Sequence, residues 1–409
     1  MSGISGFLNL DGAPVLPERL HRMAGLMAHR GPDGATFTAF PSDHTLPALA
    51  WQDRAKAPAD SALQDAAFAM IHLRLGVGTV QPLATSDDRY WVVLDGEIAN
   101  REALRKELPG AGAGDAEVLV SAWAAWGERC LERLDGAFAF AIWDRPGQRL
   151  FLARDRFGLK PLYYAEGDRA LAFASEIKPV LAGLSLAPKP CEAVVQAFLV
   201  HGTRDSGPGT FFEGVLQVPP GHLVAVKARV ASPRAYEAIQ GMPPPVYDLP
   251  RLSGADAAGF FDALPDLLWY REEPFDDVGP YLQWLGFKVD PGGLFRKPGF
   301  LDGLKAWLRA RDRRALLTPA LRERPCPAKV AKRPCPDPDF SGSSWIGEAR
   351  RGRLASFLDD LARGDSPWID WLRVGERTDI LPFLIAELWR RQIASPDYLA
   401  PRAPRLDRG

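Results

Sequence analysis

The 409-residue sequence is short of several things that would narrow its class. It holds four cysteines, and its 50 basic and 51 acidic side chains leave a net charge of −1. A balanced charge offers no electrostatic footprint for nucleic acid or an anionic membrane surface. Cys130, Cys191, Cys326 and Cys335 form no Cys-x-x-Cys pair and have no histidine at metal spacing, so no metal site is expected. They read as reduced thiols of a cytoplasmic protein, although Cys326 and Cys335 lie close enough in a proline-rich stretch for an adventitious disulfide. Neither a secretory leader nor an apolar run long enough to span a bilayer is evident. Internal repeats and coiled-coil heptads are also lacking.

What is present divides into three parts. Residues 1–185 read as a sheet-rich α+β domain, 186–245 as a connecting segment, and 246–409 as a mostly helical region. Gly3 to Leu10 has strand character and ends at Asp11-Gly12. Pro17 to Met27 places Leu20, Met23 and Met27 on one helical face. Trp91 to Leu94 predicts a strand closed by a turn at Asp95-Gly96. Asn100 and Asp115 are placed to cap helices running to Leu108 and about Trp126. Two hairpins follow, Ala137–Trp143 with Leu150–Ala153, and Leu162–Ala165 with Ala170–Ala174. Leu223 to Val226 is a further strand, and Met242-Pro243-Pro244-Pro245 marks a break. Helical patterns cover Phe260–Trp269, Phe300–Arg311, Leu354–Ala362 and Ile380–Gln392. His72, His201 and His222 read as core or loop residues rather than ligands.

The motifs carry more than the composition. Met1-Ser2-Gly3-Ile4-Ser5-Gly6-Phe7 is followed by His29-Arg30-Gly31-Pro32-Asp33-Gly34, Leu73-Arg74-Leu75, Gln81-Pro82-Leu83, Asp95-Gly96-Glu97-Ile98, Gly114-Asp115-Ala116-Glu117, Arg154 to Leu162, and Ser175-Glu176-Ile177-Lys178. In this order they resemble the class II glutamine amidotransferase domain of the asparagine synthetase B family. The resemblance implies a four-layer αββα, N-terminal-nucleophile hydrolase-like fold. In that family an N-terminal cysteine attacks the glutamine amide, with its own α-amine as base. The nucleophile position here is Ser2. By resemblance Arg74 and Asp115 grip the α-carboxylate and α-amine of glutamine, while positions 95 and 96 form the oxyanion hole. The family's asparagine is replaced by Asp95, beside Gly96. A carboxylate repels a developing oxyanion, and losing one donor costs about 2.7–4 kcal/mol. If Met1 is retained, the amine is also lost to a peptide bond. The expectation is a glutaminase that is silent or nearly so; slow hydrolysis by Ser2 is the competing reading.

The C-terminal region resembles parts of the family's ATP-dependent synthetase domain, which adenylates a carboxylate for attack by an amine. Phe261 to Pro265 and Glu272-Glu273-Pro274-Phe275 match the approach to its nucleotide site, and Glu273 falls on a catalytic glutamate. The expected lysine position holds Asp337, with Lys332 the nearest cation. The pyrophosphate-binding Ser-Gly-Gly-x-Asp-Ser loop has no counterpart beyond Ser253-Gly254-Ala255-Asp256, which reads as an ordinary turn. The domain therefore reads as an incomplete remnant of an α/β adenine-nucleotide fold, and its nucleotide-binding residues are not identified. Either the nucleotide core is lost, or segments are missing from the sequence. The first case implies a pseudoenzyme serving as a binding module, without cofactor. The second implies an amide-forming ligase using ATP and Mg2+, in the manner of lasso-peptide macrolactam synthetases or β-lactam synthetases, or an asparagine synthetase fed by ammonia or glutamine. The implied partners are a small-molecule or peptide carboxylate, a precursor peptide with a delivery protein, and a second copy of the chain.

Overall fold

The computed structural model describes residues 2–52, 57–76, 78–201, 207–227, 232–236, 254–275 and 381–401. The expected helices at Phe300–Arg311 and Leu354–Ala362, the Met242–Pro245 break, Cys326, Cys335 and Lys332 lie outside these residues.

In chain order the strands are β1 (Gly3–Asn9), β2 (Ala35–Pro41), β3 (Leu49–Trp51), β4 (Ala66–Leu73), β5 (Leu83–Ala84), β6 (Tyr90–Ile98), β7 (Gly136–Asp144), β8 (Arg149–Arg154), β9 (Tyr163–Glu166), β10 (Ala170–Ala174), β11 (Leu216–Gln217), β12 (His222–Val226) and β13 (Arg234–Ala235). The helices are α1 (Pro17–Leu26), α2 (Arg101–Glu107), α3 (Asp115–Trp126), α4 (Ile177–Leu184), α5 (Glu192–His201), α6 (Gly254–Arg271) and α7 (Leu381–Ile393).

Two antiparallel sheets stack face to face. One runs β11-β9-β10-β1-β4-β2-β3, the other β13-β12-β8-β7-β6-β5. Strand alternation sorts the side chains into three apolar layers. Ile4 and Leu8 of β1, Phe68 and Met70 of β4, Val93 of β6, and Ala139, Ala141 and Trp143 of β7 fill the space between the sheets. Phe7, Ala69 and Ile71 face the other way, with α1, α4, α5, α6 and α7. Val92, Leu94, Phe138 and Phe140 meet α2 and α3 on the opposite outer face. The result is the αββα sandwich. Between the sheets Phe68 stacks on Phe40 and tilts against Trp143, with centroids 5.4 and 4.4 Å apart. Each such fully buried side chain contributes about 1.5–3 kcal/mol.

Both expected hairpins form, with β7 pairing β8 and β9 pairing β10. Four local expectations are corrected. Asp95-Gly96 is not a turn: β6 continues through it, with Asp95 opposite Ala139 and Gly96 opposite Phe138. A turn-prone dipeptide is overridden here by a ladder running the length of β7. Asn100 precedes α2 without capping it, because its side chain is engaged by Arg133 O and Asp135 N at 2.8 and 3.0 Å. Gly114, rather than Asp115, caps α3, with the Glu117 carboxylate accepting from Gly114 N at 2.7 Å. The helix predicted from Phe260 begins earlier, at Gly254.

Candidate functional site

The site lies where the first residues of β1 meet the inner face of β6. Ser175 N donates to Ile4 O at 2.8 Å and Ile4 N donates to Ser175 Oγ at 3.0 Å, which pins the start of β1 to the end of β10. Ser2 sits just before this clamp, half-buried, and its hydroxyl donates to Asp95 Oδ1 at 3.2 Å. Sequence distance had given no reason to pair them; the sandwich brings together residues 93 positions apart.

Asp95 is fully buried and its carboxylate is shared between cations. Arg30 Nη1 reaches Oδ2 at 3.1 Å, and Lys160 Nζ lies 3.6 Å from Oδ1. Arg30 comes from the turn after α1. Close packing sets that turn: a Cβ on Gly31 would sit 2.4 Å from the Leu73 carbonyl carbon. Arg30 also donates to the Ser2 carbonyl at 3.3 Å and through Nε to Glu176 Oε1 at 2.7 Å. Burial works against its charge, but Glu176 and Asp95 outweigh that and raise its pKa further. Lys160 is aimed by Asp155, whose buried carboxylate accepts from the amides of Phe157, Leu159 and Lys160, each at 3.0 Å. The Arg154–Leu162 motif is thus a loop wound around one carboxylate.

The network continues away from Ser2. Glu176 Oε1 also faces His29 Nε2 at 2.8 Å. Burial lowers the His29 pKa against the pull of the Glu176 carboxylate, and Nε2 is the donor of the pair. Burial opposes the Glu176 charge, yet His29, Arg30 and Lys178 overcome it and hold the group at about 2. Lys178 is fully buried and pairs with Glu272 at 3.0 Å. Formally, three cations (Arg30, Lys160, Lys178) balance three carboxylates (Asp95, Glu176, Glu272) in two buried groups, Lys160–Asp95–Arg30–Glu176 and Lys178–Glu272, coupled electrostatically through Glu176 and Lys178. Asp95 completes that balance; an asparagine would leave it one negative charge short.

The two residues assigned to glutamine's α-groups make their hydrogen bonds to different partners. Arg74 Nη2 donates to the Asp33 carbonyl at 2.9 Å, and the Asp33 carboxylate accepts from Gly76 N at 2.6 Å. Asp115 Oδ1 accepts from Ile98 N at 3.0 Å and from Arg101 at 3.3 Å. Arg101 thus occupies one oxygen of the carboxylate that the resemblance assigns to the α-amine of glutamine. Gly96, with φ +131°, is held in the ladder; a Cβ there would come within 2.0 Å of Ala137 O. His72 is buried between the sheets, where desolvation lowers its pKa to about 4. His222, the first residue of β12 rather than a loop residue, bonds through Nδ1 to Pro220 O at 2.8 Å.

Glu273 follows α6 and is half-exposed. Its neighbour Glu272, which sequence reasoning passed over, is the buried one. The signal that could have found it is the pairing of the Ser175–Lys178 motif with a carboxylate elsewhere in the chain. Among the described residues, no group of three or more His, Cys, Asp or Glu side chains is arranged to hold a metal. The described residues likewise contain no helix long and apolar enough to cross a membrane.

Ser2, just before β1, and Asp95 and Gly96 on β6 lie within an αββα sandwich, and comparison with known proteins supplies the family. Residues 1–237 match the family model described as a glutamine amidotransferase domain, more than half of the 409 residues. The chain belongs to that family. It is 31% identical over 237 residues to the glutamine-hydrolysing asparagine synthetase 3 of Bacillus subtilis, covering 55% of this chain and 34% of that protein. It is 31% identical over 245 residues to amidase chry2 of Gibberella zeae, covering 55% and 32%. The chain therefore spans about a third of the length of these relatives. Among solved structures, the B. subtilis glutamine phosphoribosylpyrophosphate amidotransferase aligns with a TM-score of 0.41 at 20% identity, over 57% of this chain and 49% of that one.

Proposed function

We propose that this chain is an ATP-dependent, amide-forming ligase of the asparagine synthetase type whose amidotransferase domain is catalytically silent, so that its amine comes from a source other than glutamine. The observation that carries the reading is the Ser2–Asp95 hydrogen bond. The hydroxyl at the nucleophile position is spent on a buried carboxylate, and that carboxylate stands where an oxyanion needs a donor. Arg30 and Lys160, the cations nearest that position, are themselves paired with Asp95.

The ligase half of the reading is supported by the relatives named asparagine synthetase and by the Glu272–Phe275 motif at the end of α6. ATP would activate a carboxylate with Mg2+, releasing AMP and pyrophosphate. No described residue is assigned to the nucleotide, because Lys332 lies outside the described residues. The acceptor class is a side-chain carboxylate, free or in a peptide, as in lasso-peptide macrolactam formation. The test is ATP–pyrophosphate exchange with free aspartate and with Asp- or Glu-bearing peptides. Exchange with at least one acceptor, unaffected by glutamine, is expected. Amide formation that requires glutamine and Ser2 would overturn the reading. Absence of exchange with every acceptor would leave the chain as a binding module built on an amidotransferase fold.

A further inference from the structure

α6 ends against the amidotransferase-like fold in a specific way. Leu264, Leu267, Leu268 and Trp269 are buried in the layer shared with α1, α4 and α5. Glu272 N still donates to Leu268 O at 2.9 Å, but Glu272 itself adopts φ +63°, in the left-handed region that a non-glycine residue enters at a cost. The carboxylate reaches the first turn of α4. Its Oε2 accepts from Ile177 N at 2.5 Å; its Oε1 accepts from Lys178 N at 2.6 Å and from Lys178 Nζ at 3.0 Å. The α4 N-cap residue Glu176 makes no capping bond, so a carboxylate 95 positions away satisfies these orphan donors. Lys178 Nζ also donates to Trp269 O at 2.6 Å and lies 4.1 Å from the centroid of the Trp269 ring. The Glu272 carbonyl accepts from Trp389 Nε1 of α7 at 2.6 Å. One residue thus joins α4, α6 and α7.

We propose that Glu272 is the latch that registers the two C-terminal helices on the amidotransferase-like fold and, through the main chain, the positioning residue for Glu273. The latch stands on this geometry alone; the positioning of Glu273 rests on the ligase reading. The silent domain is then retained as the surface against which the C-terminal half is aligned. The Glu272–Lys178 pair is the point of attachment, and Glu176 ties that pair to the Ser2–Asp95 end through Arg30.

The test is hydrogen exchange on the full chain for wild type, Glu272→Gln, Lys178→Met and the double variant. Gln at 272 leaves Lys178 buried without its carboxylate. Amides of Phe383–Ile393 and Leu264–Phe275 are expected to exchange at least about tenfold faster, while those of β1 and β4 hold. The double variant is expected to exchange less fast than the product of the two single effects, and Glu272→Asp to recover part of the protection. Effects that multiply independently, or an Glu272→Gln effect under about twofold, would overturn the latch. If Glu272→Gln unfolds throughout, Lys178→Met decides: loss confined to α6 and α7 supports the latch, and equal loss in β1 and β4 overturns it. For the positioning role, kcat for ATP-dependent pyrophosphate release should fall at least about tenfold in Glu272→Gln while KM for ATP stays within about twofold. Unchanged kcat overturns that role. A wild type without pyrophosphate release removes the ligase reading and the positioning role together, and the exchange result still decides the latch.

Discussion

Asp95 is the residue on which the account turns. A carboxylate at an oxyanion position reads, from sequence, as a simple loss. In the fold it is also a gain, because it neutralises Arg30 and Lys160 in a place closed to solvent. Removing one partner of a buried pair typically costs about 3–5 kcal/mol, so Asp95→Asn is expected to lower the unfolding free energy by about 3 kcal/mol in urea titrations. A change within about 0.5 kcal/mol would mean that Arg30 and Lys160 need no carboxylate there. The same region sets an acid response. His72 is lowered from 6.5 to about 4, so the unfolded chain binds the extra proton between those values, and stability falls as pH drops through that window. The shift corresponds to about 3 kcal/mol at most. His29 is also lowered and adds in the same direction. Glu176, lowered from 4.5 to about 2, extends the loss below pH 4.5, whereas Glu272 is raised by burial and by Glu176 and works the other way. Denaturant titrations from pH 7 to 4 should show the fall for wild type and a flatter line for His72→Gln; equal slopes would remove His72 from the account.

At the scale of elements, β6 shows where sequence reading succeeds and where it stops. The apolar, β-prone run Trp91 to Leu94 announced the strand, and the hairpin of β7 and β8 was legible from two apolar runs around a turn. Asp95-Gly96 misled, because its turn chemistry is local while the β7 ladder that overrides it is not. Gly96 has a structural reason to be glycine: with φ +131° and a Cβ 2.0 Å from Ala137 O, Gly96→Ala should cost more than about 2 kcal/mol in thermal or urea unfolding. A near-neutral result would show that β6 and β7 can separate there without loss. The caps at Asn100 and Asp115 misled for a related reason. Both side chains have longer-range partners, Arg133, Asp135 and Ile98, that no local window contains. Of the site, motif order named Ser2 and Asp95, which the fold brings into hydrogen-bond contact, while Arg74, Gly96 and Asp115 keep their assigned roles by resemblance alone. The charge network through Arg30, Lys160, Glu176, Lys178 and Glu272 was not legible, since it joins five separate stretches that only the packed layers bring together.

For the whole molecule, the αββα sandwich and the docked α6 and α7 share one apolar layer, with Trp269, Trp389 and Phe211 in it. Both sheets and their outer helices are present among the described residues, while Asp95 on β6 pairs with Arg30 and Lys160. Family membership and glutamine chemistry are therefore separable in this chain. The measurement that tests this most directly is glutamate release from glutamine by the purified chain, compared with Ser2→Ala and with the double variant Ser2→Cys, Asp95→Asn. Wild type and Ser2→Ala are expected to be indistinguishable at background. Glutamate release by wild type that Ser2→Ala abolishes would contradict this, and would make Ser2 a working nucleophile with Asp95 as its partner.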